Sequence, residues 1–365
     1  MNTSIKVSVI CVLLINMLFA GCSSGQAIEP TLTQMPTSLP ATPSLLPSTQ
    51  SPSEMQAKVV VIDTDMAPDD WIAILYLLQR KDIIVKAITI SGTGEAHCQP
   101  GVQNALGLIA LAGYPQIPVA CGREIPLKGN HIFPEGWRQA ADGLYGMSLP
   151  EGKNPNSPSN AADLLTSIIQ GSPKKVNVLA VGPLTNLAEA IQKQPSLPEN
   201  IERIYIMGGA VNVRGNIADG VLDINNRVAE WNIYIDPYAA NIVFQSGVPI
   251  TLVPLDATKD VPVNRNFYNN LNANHTTRPA TFVFDFFTKN PSFFEMGTLY
   301  FWDVSTAAIL SDESLAKYND HNLCVVEDEG SQSGQTKVAD KCPVIRVAVS
   351  IDRKRFESLL INTLN

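Results

Sequence analysis

The chain is predicted to be an α/β protein: a single large domain on an open, mostly parallel, Rossmann-like sheet with helices on both faces. Three observations predict this. Val59–Ile62 is an unbroken run of apolar β-branched residues, the pattern of a strand buried on both faces. Directly after it, Ile72, Ala73, Leu75, Tyr76 and Leu78 recur at helical spacing. Strand-like and helix-like segments then alternate towards the C-terminus, the order that builds a parallel sheet.

The 365 residues are ample for a sizeable core, and 45% of them are hydrophobic. A formal net charge of −8 argues against nucleic acid as a partner. Residues 1–21 read as a signal peptide, with Lys6 ahead of the apolar run Val7–Ala20. That run ends in Leu18-Phe19-Ala20-Gly21-Cys22, which resembles the lipobox of bacterial lipoproteins and implies cleavage before a lipidated Cys22. Residues 22–57 are rich in Ser, Thr and Pro and nearly uncharged, so they are expected to tether the folded domain, residues 58–365, to a membrane outside the cytoplasm. In that compartment Cys98, Cys121, Cys324 and Cys342 are candidates for disulfides. Cys324 and Cys342 flank one acidic loop and are the favoured pair, with Cys98–Cys121 the second.

Between the first strand and the first helix lie Asp63, Asp65, Asp69 and Asp70, four carboxylates within eight residues. So many like charges require protonation or a cation. An all-oxygen set suits Ca²⁺ or Mg²⁺ rather than zinc. Helix capping would account for Asp69 and Asp70 but would leave Asp63 and Asp65 without a role.

Further along, Ile83–Ile90 reads as a strand, 91–97 as a loop, Val102–Ala112 as a helix and Ile117–Cys121 as a short strand. Arg123–Asn154 is long and irregular and contains Trp137, a candidate to stack on an aromatic ligand. Ala161–Gln170 reads as a helix, and Lys175–Ala180 as a strand running into Val181-Gly182-Pro183-Leu184-Thr185-Asn186. Ile201–Met207 and Ile250–Pro254 are strands, Asn264–Asn290 is expected to be helical, and Val344–Ser350 with Arg353–Leu360 forms a last strand and helix.

The run Asp63-Thr64-Asp65-Met66-Ala67-Pro68-Asp69-Asp70 resembles the DxDPGxDD signature of the inosine–uridine-preferring nucleoside hydrolases, with Met66-Ala67 in place of Pro-Gly. A phosphatase-type DxD motif fits less well, because it lacks the following Asp pair. Other family elements occur in order: GPLTN at 182–186, MGG at 207–209, Gly215-Asn216, Ala229-Glu230-Trp231-Asn232 with Asp236-Pro237, and Trp302-Asp303. The resemblance runs from about Lys58 to the C-terminus.

It implies a Ca²⁺ ion held by Asp65, Asp70, Asp303 and the Val181 carbonyl, with Asp65 also the general base. Asp69, Asn216, Glu230 and Asn232 are then expected to grip ribose, and Asp63 to orient its neighbours. Asn225 and Asn226 compete with Asn216 for that role. Glu95 stands where the family has an Asn that reaches the ribose and base. Asp142-Gly143-Leu144 resembles the family's DGL element without the His that often precedes it. Trp302 replaces the family's His, as in purine-preferring members. The implied activity is hydrolysis of the N-glycosidic bond of ribonucleosides, purine ones first. A nucleoside-binding protein without turnover, or a hydrolase of another N-riboside, are the alternatives. Resembling proteins are often dimers or tetramers, so a homo-oligomer is also expected.

Overall fold

The computed structural model describes residues 57–153, 160–220 and 224–365. The signal peptide, Cys22 and the tether lie outside the described residues. Among the described residues nine strands form one sheet: β1 Lys58–Thr64, β2 Ile83–Ile90, β3 Val119–Cys121, β4 Val176–Val181, β5 Ile201–Met207, β6 Ile250–Val253, β7 Ala316–Val325, β8 Thr336–Val338 and β9 Val344–Ile351. Their order is β3-β2-β1-β4-β5-β6-β9-β7-β8. β3 through β9 in that order pair parallel, while β7 runs antiparallel to both β9 and β8.

The period-2 alternation of a strand explains why the central segments are apolar throughout. On β1, Val60 and Ile62 enter one core, while Val59 and Val61 enter the other. The first core is covered by α1 Pro68–Gln79, α2 Cys98–Ala112, α10 Trp302–Ser311 and α11 Arg353–Leu364, with α10 packed on β4, β5 and α1. The second is covered by α4 Ala161–Gly171, α5 Thr185–Lys193 and α7 Pro237–Phe244. Between these, α3 Glu135–Asp142, α6 Trp231–Ile235, α8 Arg265–Ala273 and α9 Arg278–Lys289 complete the longer helices. So 123–154 is less irregular than expected, since it carries α3 and a tight turn at Leu144–Gly146. The expected helix over 264–290 is two helices, α8 and α9, separated by 274–277.

Topology positions the site. From β1 the chain builds outward through β2 and β3, then returns to the other side of β1 with β4. The loops leaving β1 and β4 therefore diverge, and a crevice opens at the carboxyl ends of these strands.

Both candidate disulfides form, Cys98–Cys121 and Cys324–Cys342. The second closes a loop with a sequence separation of 18. Replacing Cys324 and Cys342 by serine is expected to lower stability by about 3 kcal/mol through the freed chain entropy of the unfolded state. A thermal melt checks this, and an unchanged midpoint would contradict it.

Candidate active site

Asp65 leaves the end of β1, and Pro68 starts α1 at its first turn, where proline is tolerated. The N-cap is Ala67, with no side-chain cap. Asp69 and Asp70 therefore sit in the first turn, facing inward and buried, and do not cap the helix. α10 repeats the arrangement with Asp303 in its first turn, and α1 packs against α10. Two helix N-termini thus bring three carboxylates together, and their dipoles favour the negative charge. Ligand oxygens of Asp69, Asp70 and Asp303 lie within 4.8 Å of one another. The Asp303 backbone N–H donates to Asp69 Oδ2 at 3.1 Å.

Asp65 joins this group from the side, its own backbone N–H donating to Asp70 Oδ1 at 3.3 Å. Two glycines allow Asp65 its place. A Cβ on Gly94 would overlap the Asp65 side chain, and one on Gly182 would lie 2.8 Å from Asp65 Cβ. Thr64 Oγ1 donates to Asp70 Oδ1, while Asp70 Oδ2 is buried without a hydrogen-bond partner.

The electrostatics are those of buried, crowded carboxylates. Burial, then the charge of Asp70, pushes the Asp65 carboxyl well above the ordinary carboxylate range. Burial, then Asp69 and Asp70, does the same to Asp303. Burial raises Asp69 to about 6 and Asp70 to about 7. Oxygens of three carboxylates this close leave room for one shared divalent cation between them. The oxygen-only donors and the orphaned Asp70 Oδ2 fit a hard cation as well. Asp69, expected to grip ribose, lies with Asp70 and Asp303 in this trio, and Asp65 adjoins it through Asp70.

Asp65, Asp69 and Asp303 line a cavity of about 750 Å³, within the usual range for small-molecule sites, with Asp70 buried behind them. Val181, Glu95, Asn216, Glu230 and Asn232 line it as well. Glu230 caps α6, accepting from Asn232 N at 3.0 Å, and it also accepts from Gly209 N at 2.9 Å. Burial raises its carboxyl to about 7. Asn232 Nδ2 donates to the Met207 carbonyl at 3.2 Å, and Asn216 Oδ1 accepts from Trp231 N at 3.2 Å. These contacts bring the MGG, GN and AEWN segments to one wall. Asn226 is instead used in its own loop, accepting from Val228 N and Ala229 N and donating to Ser333 O, and Asn225 is exposed.

Asp63 stands apart from the cluster. It accepts from Thr89 Oγ1 at 2.7 Å and Asn186 Nδ2 at 2.8 Å, tying β1 to β2 and α5, and burial raises it to about 7. Glu95 does not cap α2, whose N-cap is His97. Asp142 accepts from His97 N at 2.8 Å and Nδ1 at 2.7 Å, fastening the 91–97 loop to α3.

Aromatic residues also line the cavity: Phe133, Trp137, Trp231, Tyr300 and Trp302. Trp302 lies 5.4 Å from Tyr300, and Trp137 lies 5.4 Å from Trp231, which stacks on Phe133 at 5.1 Å. Trp137 and Trp302 were legible as base-stacking candidates, whereas Phe133, Tyr300 and the ring of Trp231 were not. Arg214 and Lys259 also border the cavity and went unread. The clustering of Phe133 and Trp137 within five residues was the available signal.

Residues 60–358 match the family profile described as inosine-uridine preferring nucleoside hydrolase. Uridine nucleosidase 1 of Arabidopsis thaliana is 37% identical over 205 residues, 56% of this chain and 58% of that relative. The match thus spans under two thirds of that relative's length. A solved plant nucleoside hydrolase, PpNRh1, superposes with a TM-score of 0.74 at 29% identity, covering 84% of this chain and 98% of that one. A purine-preferring ribonucleoside hydrolase from Gardnerella vaginalis superposes with a TM-score of 0.70 at 25% identity, again over 84% of this chain and 98% of that one.

Proposed function

The chain belongs to the inosine-uridine preferring nucleoside hydrolase family, and on that premise we propose that it hydrolyses ribonucleosides to base and ribose with Ca²⁺, purine nucleosides ahead of pyrimidine ones. The observation that carries the reading is the buried trio Asp69, Asp70 and Asp303, gathered within 4.8 Å, of which Asp69 and Asp303 line a cavity shared with several aromatic rings. Asp65, Asp70, Asp303 and the Val181 carbonyl would hold the ion, with Asp69 near enough to join. When bound, a hard divalent cation favours ionisation of water and neutralises the clustered carboxylates.

Asp65 accepts a proton from the attacking water. The water oxygen bonds to the anomeric carbon as the bond to the base nitrogen breaks, through an oxocarbenium-like transition state. Asn216, Glu230 and Asn232 hold the sugar hydroxyls, which fixes the anomeric carbon over Asp65. The departing base takes up a proton from solvent, and Trp302 with Trp137 stacks on its ring, a contact of about 1–3 kcal/mol per base. The wide cavity and the aromatic rings lining it support a purine. Uridine is the second reading, supported by the name of the Arabidopsis relative. The Cys22 context and the tether composition support anchoring at a bacterial membrane.

A nucleoside panel assayed with and without a calcium chelator tests this. Inosine is expected to turn over faster than uridine, with activity lost on chelation and restored by Ca²⁺. Clearly faster uridine cleavage would overturn the purine preference. Chelator-resistant turnover would overturn the metal assignment.

A further inference from the structure

Glu95 borders the cavity, and one of its two carboxyl oxygens is already engaged. Tyr145 Oη donates to Glu95 Oε1 at 3.3 Å. Oε2 has no hydrogen-bond partner among the described residues. Glu95 also lies against the acidic cluster, since its backbone N–H donates to Asp65 Oδ2 at 3.2 Å.

The backbone bends unusually to deliver the tyrosine hydroxyl. Leu144 and Tyr145 both adopt left-handed conformations, with φ of 51° and 48°. Non-glycine residues seldom do so, and such strain gathers at functional sites. The preceding Gly143, which would tolerate that region, has φ of −83°. The turn is held from outside: Tyr145 O accepts from Asn290 Nδ2 at 3.3 Å, and Gly146 O accepts from Lys289 Nζ. The Tyr145 ring makes edge contacts with Trp71 at 6.2 Å and Phe293 at 5.3 Å. The Glu95 loop is held as well, with Arg138 Nη2 donating to Gly92 O at 2.9 Å and Ala96 N donating to Asp65 O at 2.9 Å. Two rigid supports thus meet at a single hydroxyl–carboxyl contact.

We infer that Tyr145 is a positioning residue. Its hydroxyl holds Glu95 Oε1 so that Oε2 faces the sugar end of the cavity and accepts a hydrogen bond from a ribose hydroxyl. The inference rests on the nucleoside-hydrolase reading of this cavity and adds to it a sugar contact made through a carboxylate rather than an amide. Phe293 and Trp71 contact the tyrosine ring, not its hydroxyl, so Tyr145→Phe removes the hydrogen bond and keeps the packing.

The test is a double-mutant cycle of Tyr145→Phe and Glu95→Gln, read in kcat/KM for inosine. Tyr145→Phe is expected to lower kcat/KM about tenfold, the effect of one hydrogen bond. In the Glu95→Gln background the same change is expected to have less than about a twofold effect. Equal losses in both backgrounds, or no loss in the first, would overturn the inference. If the wild-type protein releases no ribose from any nucleoside, the hydrolase reading fails separately. The same cycle is then read by calorimetric titration with D-ribose in the presence of Ca²⁺. Weakening by Tyr145→Phe only when Glu95 is present supports the positioning role, and any other pattern overturns it.

Discussion

Asp65→Asn is expected to lower kcat at least about 1,000-fold, because the change removes the proton acceptor and weakens the cation site together. The amide fills nearly the same space between Gly94 and Gly182, so the backbone around it has no reason to move. The same substitution is expected to raise the melting temperature of chelated protein. Asp65 is buried beside Asp70, and in the absence of a cation each ionised carboxyl opposes the other. Removing one charge relieves that repulsion, the usual exchange between stability and activity at a strained site. Steady-state kinetics with inosine and a melt in chelator check the two halves. A variant retaining more than about a tenth of wild-type turnover would remove Asp65 from the chemistry.

Chelated protein is also expected to become less stable as pH rises from 5 to 8. Burial sets the folded values of Asp69 at about 6 and of Asp63, Asp70 and Glu230 at about 7. All exceed the unfolded values near 4. Between about pH 4 and 7 the folded state therefore binds more protons than the unfolded state, so stability falls with rising pH and levels off above about 8. Saturating Ca²⁺ replaces those protons, and its stabilisation is greatest at the alkaline end. A fall in melting temperature of at least about 5 °C in chelator, largely abolished by Ca²⁺, is the expected result. A chelated protein that gains stability over this range would contradict it.

The class of fold was legible because burial on both sides of a parallel sheet leaves apolar runs such as Val59–Ile62, and because helical periodicity follows at once. The acidic residues were legible for a related reason: Asp63, Asp65, Asp69 and Asp70 crowd a strand end where capping cannot absorb them all. Asp303, more than two hundred residues away, is placed by the packing of α10 on α1, a contact that local pattern does not encode, and only the family resemblance pointed to it. The membership of Asp69 in the tight trio depends on which way a first-turn side chain faces, which spacing alone leaves open. Tyr145 was invisible because its role follows from two left-handed residues in a turn whose sequence contains glycines at other positions. The aromatic wall of Phe133, Trp137 and Trp231 joins segments about a hundred residues apart and leaves no periodic trace.

Met66 departs from the family pattern, and its geometry has its own consequence. Its φ is +64° while its side chain is fully buried, its N–H donates to Thr64 Oγ1, and its carbonyl accepts from Trp71 Nε1 at 2.8 Å. Proline, fixed near −65°, has no access to that conformation and no N–H to donate. This chain has therefore settled the bend after its first strand by a different backbone route from the one a Pro-Gly pair permits. Installing a Pro-Gly pair at 66–67 would therefore require the bend to be rebuilt, and such loops cannot be swapped as interchangeable parts.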